Sequence, residues 1–141
     1  MSRIGFVLVA LVALASIVVP VAVDLNETHL FNPDWSGHAK LHDAMSFIMS
    51  MGLGVGALVL LAGPVRRDGS HLWLAVFLAV WSWGALLLGG LIPGATYGND
   101  AMGPPPEMAG IPLYPNAIIA IVLIVLGLVG GTLIDKGRRS A

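Results

Sequence analysis

Cysteine is absent from the 141 residues. That excludes disulfides, thiolate metal sites and thiol redox chemistry, and with them the dithiol oxidoreductases built as four-helix membrane bundles. Charge is nearly as scarce. Only 11% of residues are Asp, Glu, Lys or Arg, against about 25% in an average chain. No basic run or aromatic platform points to nucleic acid. Hydrocarbon fills the chain instead, with 57% apolar residues. The composition is that of an integral membrane protein.

A bilayer span takes about 20 apolar residues, and four stretches qualify. Residues 4–23 are apolar throughout, with Pro20 placed to bend the helix near its end. Arg3 ahead of this run also suits a signal peptide, but the run is too long for one and no A-x-A cleavage site follows. A second helix is expected over 33–62, with Asn32 as N-cap, Pro33 in the first position and Asp34 in the first turn. Its length exceeds what a bilayer needs, so its first turns stand in the interface with Trp35 at headgroup depth. The third and fourth helices are expected over 71–92 and 114–135. The outer loops are then 24–32 and 93–113. The second of these, 21 residues rich in Gly and Pro, suits a functional lid or a disordered segment. Asn26-Glu27-Thr28 matches a glycosylation sequon that lies too close to the membrane to be used.

Charge orients the chain. Arg3, Arg66, Arg67, Lys136, Arg138 and Arg139 fall on one side of the spans and only Lys40 on the other. The positive-inside rule then puts both termini in the cytoplasm. Six of the eight acids, and His29, His38 and His42, fall outside. The expected architecture is all-α: one membrane domain, an antiparallel bundle of four transmembrane helices in a cell membrane, the bacterial plasma membrane in the first instance.

Residues 24–49 concentrate the polar chemistry, with three of the four histidines and four of the eight acids. At 100° per residue, Asp34, His38, His42, Met45, Met49, Gly52 and Gly56 fall on one arc of the second helix. Asp43, Ser46, Ser50 and Ala57 fall on the adjoining one. The inward face is expected near His42 and Ser46, with Gly52 and Gly56 as a small-xxx-small pair for helix approach. On the fourth helix Asn116, Ala120, Gly127, Gly131 and Ile134 share a face, which points Asn116 into the bundle. On the third, Trp73, Phe77, Trp81 and Gly84 align.

Several chemistries fit that rim. His38 and His42, four apart on a helix, suit two ligands to one ion. Asp34 and His29 are further candidates, and the Met residues of the outer half would suit copper, with zinc the other candidate. Acid/base chemistry on a lipid or terpenoid is the second reading, with His42, Asp43 and Glu27 as catalytic candidates. Ser46, Trp81 and Asn116 would line the pocket, and the Trp81 ring would stabilise a developing cation. Membrane sterol isomerases of the emopamil-binding type use acid and aromatic residues in a helix bundle in this way, a resemblance of architecture only. The third reading is an accessory or ligand-binding subunit that docks through Gly-rich faces on a larger membrane complex, or on further copies of itself. Its pocket would accept a lipid-like molecule or an ion. A haem bridging His42 and His71 is excluded, because the two lie near opposite ends of their helices, on the order of 30 Å apart. Transport by a monomer is disfavoured by the lack of charge at mid-membrane.

Thr28 to Trp35 (THLFNPDW) and His38 to Asp43 (HAKLHD) together resemble a motif in a family of small, uncharacterised four-helix membrane proteins. The resemblance covers about the first two helices. It implies that His29, Asn32, Pro33, His38 and His42 form one unit, and it implies no reaction. The reading carried forward is the accessory or ligand-binding subunit, with the small lipid-modifying enzyme as its alternative.

Overall fold

The computed structural model describes residues 2–63, 69–98 and 103–140. Arg66 and Arg67, counted for sidedness, lie outside these, as do Asp100, one of the six outer acids, and Met102, one of the outer methionines. Four helices account for most of the described chain: α1 (Arg3–Asp24), α2 (Gly37–Ala62), α3 (Gly69–Gly89) and α4 (Pro115–Arg139). At 1.5 Å per residue they are about 32 to 39 Å long, enough to cross a hydrocarbon core of about 30 Å. All four are apolar enough to cross a membrane.

The helices form a ring in chain order. α1 packs on α2 and α4, α3 packs on α2 and α4, and α1 meets α3 across the middle. Neighbours run antiparallel, since Gly5 near the start of α1 lies against Gly130 near the end of α4. Gly69 at the start of α3 likewise lies against Arg138 at the end of α4.

The interior mixes Val9, Val12, Leu72, Val76 and Ile134 with small side chains at the closest approaches. Small side chains such as Ala13, Ala57, Ala75, Ala79 and Ala120 are buried, while Leu11, Val18, Ile48, Val55, Ile121 and Val125 face outward. Lipid tails are as apolar as Leu, so close backbone approach drives association in a membrane. The contacts follow that logic. A Cβ at Gly54 would come within 2.5 Å of the Ala13 carbonyl oxygen, and one at Gly127 within 2.5 Å of Val80. Ala120, Gly127, Gly131 and Ile134 are all buried, as the shared face on the fourth helix anticipates.

α2 departs from expectation twice. It begins at Gly37 rather than Pro33, because Ser36 is the N-cap and its hydroxyl accepts from the Ala39 N–H at 3.1 Å. Asn32 spends its side chain on an Asx turn instead, accepting from the Asp34 N–H at 2.9 Å. Asp34 therefore precedes the helix. The buried line on α2 is Ser50, Gly54, Ala57 and Leu61, not the arc through His42 and Gly52. The helix is turned by roughly 70° from the expected orientation, so that Ser50 and Ala57 of the adjoining arc are buried and the histidine arc is not.

Among its described residues, the outer loop before α4 carries a short hairpin. Glu107–Met108 pairs antiparallel with Ile111–Pro112. Ala109 and Gly110 join them with φ of 51° and 77°, the double positive-φ signature of a type I′ hairpin turn. Tyr97 ties the preceding segment down. Its hydroxyl donates to the Leu87 carbonyl at 2.8 Å, and its ring lies over Gly90, where a Cβ would come within 2.1 Å of it.

Candidate functional site

Two polar assemblies stand out, one at mid-bundle and one at the outer end. The first begins with Pro20. Proline has no N–H, so the carbonyl four residues earlier, that of Ser16, loses its helical donor. Ser50 supplies the replacement from α2, its hydroxyl donating to the Ser16 carbonyl at 2.8 Å. The Ser16 hydroxyl is used as fully. It lies 3.2 Å from the Val12 carbonyl oxygen and 3.0 Å from that of Ala79, and it accepts from Trp83 Nε1 at 2.8 Å and from the Ser82 hydroxyl at 3.3 Å. Ser16 is fully buried and Trp83 nearly so. Three helices are thereby pinned at one depth. Ser16 and Trp83 were not among the sequence candidates, although a proline four residues after a serine in an apolar span is a legible signal.

The second assembly caps the outer end of α1 and α2. The chain after α1 folds back on it, with the Leu30 N–H donating to the Asp24 carbonyl at 3.1 Å. Asn26 organises this turn. Its Oδ1 accepts from the Thr28 N–H at 2.8 Å and the Thr28 hydroxyl at 2.7 Å, and its Nδ2 donates to the Val23 carbonyl. With its amide so engaged, Asn26 is poorly presented as a glycan acceptor. The Thr28 hydroxyl has one proton, committed to Asn26, so its 2.8 Å contact with His29 Nδ1 needs the hydrogen on the ring nitrogen. His29 Nε2 is then the nitrogen left for acid/base work. The His29 ring meets Trp35 edge-on with centroids 5.8 Å apart.

Asp24, His29 and Asp43 share this end of the bundle, each carboxylate within electrostatic reach of the imidazole and Asp24 within reach of Asp43. Asp43 Oδ2 is shut off from solvent and has no hydrogen-bond partner among the described residues. A buried acceptor without a donor is uncommon and costs about 1–3 kcal/mol. It is the group in this assembly most in need of a ligand.

The remaining sequence candidates lie elsewhere. His38 and His42 meet each other, Nε2 to Nε2 at 3.1 Å, on an exposed face of α2. Ser46 is exposed and donates to the His42 carbonyl at 2.9 Å. Trp81 is 44% exposed and stacks on Phe77 with centroids 5.0 Å apart, outside the bundle. The aromatic buried instead is Trp83. Asn116 is exposed as well, and its Nδ2 donates to the Tyr97 carbonyl at 3.0 Å, so it tethers the outer loop. Ser46, Trp81 and Asn116 thus face outward rather than lining a common interior. Glu27 and Asp34 are exposed. Among the described residues, no group of three or more His, Asp and Glu side chains is arranged to hold a metal ion. The quartet His29, Asp34, His38 and His42 is therefore split, and only its two α2 histidines touch.

Fold and site together define a class: a small helical bundle, suited by length and composition to four membrane crossings, with carboxylates and imidazoles at one end. The chain belongs to a family of unknown function (DUF6640), whose model matches residues 8–140. That match includes the whole THLFNPDW…HAKLHD segment and extends well past it. No curated protein and no solved structure matches the chain.

Proposed function

We propose that this chain is a small integral membrane protein whose outer cap holds the polar head of a lipid-like molecule, and that it serves a larger membrane assembly as an accessory or ligand-binding subunit. Both termini lie in the cytoplasm, a sidedness supported by the distribution of Lys and Arg. The observation carrying the ligand is Asp43 Oδ2, a buried acceptor without a donor beside Asp24 and His29. A headgroup with a hydroxyl or amine would satisfy it, and a charged hydrogen bond contributes about 1.5–3 kcal/mol.

The test compares lipids retained by purified wild type and by Asp43→Ala, using native mass spectrometry from a mild detergent. Wild type is expected to keep an amphiphile whose occupancy falls roughly tenfold or more in the variant. Once both proteins are stripped of lipid, the variant is expected to melt no lower than wild type, because it removes an unsatisfied buried oxygen. Identical lipid content with a lower melting point would make Asp43 structural and defeat the reading.

The enzyme alternative shifts its residues. The cap favours Asp43 with His29, whose Nε2 is without a partner among the described residues, over Asp43 with His42, whose ring is engaged by His38. Lipid profiling of a strain lacking the protein separates the two. A missing lipid product restored by wild type but not by His29→Ala indicates turnover, and an unchanged profile leaves binding.

A further inference from the structure

The outward face of α2 is chemically out of place. His38, His42, Met45, Met49 and Gly52 follow one another at intervals of four, three, four and three residues, so they form a single line along the helix. All five are exposed, and a Cβ added at Gly52 would meet nothing within 4 Å. Two imidazoles and two thioethers thus share a surface on which the rest of the bundle displays mostly aliphatic and aromatic hydrocarbon. Packing does not explain them, since they touch no other helix closely enough to be buried.

Geometry gives the imidazoles a use. Their Nε2 atoms are 3.1 Å apart with ring planes at 85°. An ion at the usual metal–imidazole distance of about 2.0–2.1 Å from both would see them at about 100°, an angle that suits a tetrahedral or distorted site. A hydrogen bond between the two Nε2 atoms now occupies the place an ion would take. With the ion on both Nε2 atoms each neutral ring keeps its one hydrogen on Nδ1, so binding needs a tautomer change in one ring and no net loss of a proton. Met45 lies three residues beyond His42, the next position on the same face. Thioether sulfur adds softness that selects Cu(I).

We propose that the exposed line on α2 is a copper site, with His38 and His42 as a chelating pair and the Met45 sulfur as a third, soft donor. It is distinct from the Asp43 cap and does not depend on it. The fourth position is open to water or an exogenous ligand, as suits a site that takes up and passes on an ion rather than one that holds it closed.

The test uses the full-length protein in detergent, stripped with a chelator and titrated with Cu(I) against a colorimetric Cu(I) chelator. Wild type is expected to bind one copper per chain. His38→Ala and His42→Ala should each weaken binding at least tenfold, and Met45→Leu should weaken Cu(I) while leaving Zn(II) affinity unchanged. These positions are exposed, so circular dichroism should show an intact fold in every variant. Asp43→Ala should bind copper as wild type does. Equal copper in wild type and the double histidine variant would overturn the site. Equal Cu(I) affinity in wild type and Met45→Leu would remove the sulfur from it. Copper lost in Asp43→Ala but retained in the histidine variants would move the ion to the cap.

Discussion

Pro20 and Ser50 are far apart in sequence yet answer the same need. One leaves the Ser16 carbonyl without a donor, and the other provides it. Their effects should therefore be coupled. In wild type, Ser50→Ala orphans that carbonyl and should cost about 1 kcal/mol, in the range of interhelical hydrogen bonds in membrane bundles. In a Pro20→Ala background the residue 20 N–H restores the helical bond, and the same Ser50→Ala change should cost close to nothing. A double-mutant cycle by SDS-titrated unfolding checks this. Additive effects would mean that Ser50 acts through something other than the carbonyl. Much of this knot was legible beforehand, because a proline inside a span always frees a carbonyl. Which hydroxyl meets it was not, since that depends on how α2 is rotated. The same holds for the outer cap. Asp43 could be named from its place in a polar stretch, but its nearness to Asp24 and His29 rests on the fold-back after α1.

At the scale of the element, α2 shows why polarity misled the choice of face. In a soluble bundle the apolar stripe turns inward and the polar residues turn out. In a membrane bundle polar residues were expected inside, so the histidine arc was aimed at the core. What orients α2 is instead the line that allows closest backbone approach, Ser50, Gly54 and Ala57. The histidines lie in the first turns, where headgroups and water can hydrate them outside the bundle. Two glycines two positions apart make the contrast measurable. Gly54→Ala would press its methyl against the Ala13 carbonyl at 2.5 Å, so the helices must separate, at a cost of about 1–3 kcal/mol. Gly52→Ala meets nothing and should be neutral or stabilising by up to about 1 kcal/mol through helix propensity. Thermal unfolding of the two variants in one detergent gives the comparison. The reverse order would mean that the histidine arc, not the Gly54 line, faces the core. On α4 polarity and small residues agreed, and there the inward face was read correctly apart from Asn116, whose place in the first turn lets it bond the Tyr97 segment instead.

For the whole molecule, the count and approximate limits of the helices followed from four long apolar runs, each of a length that can cross a bilayer. Sidedness is a further step, and the absence of cysteine makes it directly testable. A single introduced cysteine is the only thiol in the chain, so labelling reports on one site. Glu27→Cys, in the exposed turn after α1, should react in intact cells with a membrane-impermeant maleimide. Ser140→Cys, beyond the Lys136, Arg138 and Arg139 turn, should react only after the cells are opened. That pattern puts the carboxylate cap and the α2 histidines on the extracytoplasmic surface, where a lipid headgroup would be met from the outer leaflet and copper from the cell exterior. The opposite pattern would place the same groups in the cytoplasm, where copper is tightly buffered and the inner leaflet supplies the lipid. The chemistry of the cap and of the histidine pair would be unchanged, but both would serve a different compartment, and the positive-inside reading of Arg3 and the α4 terminus would have failed.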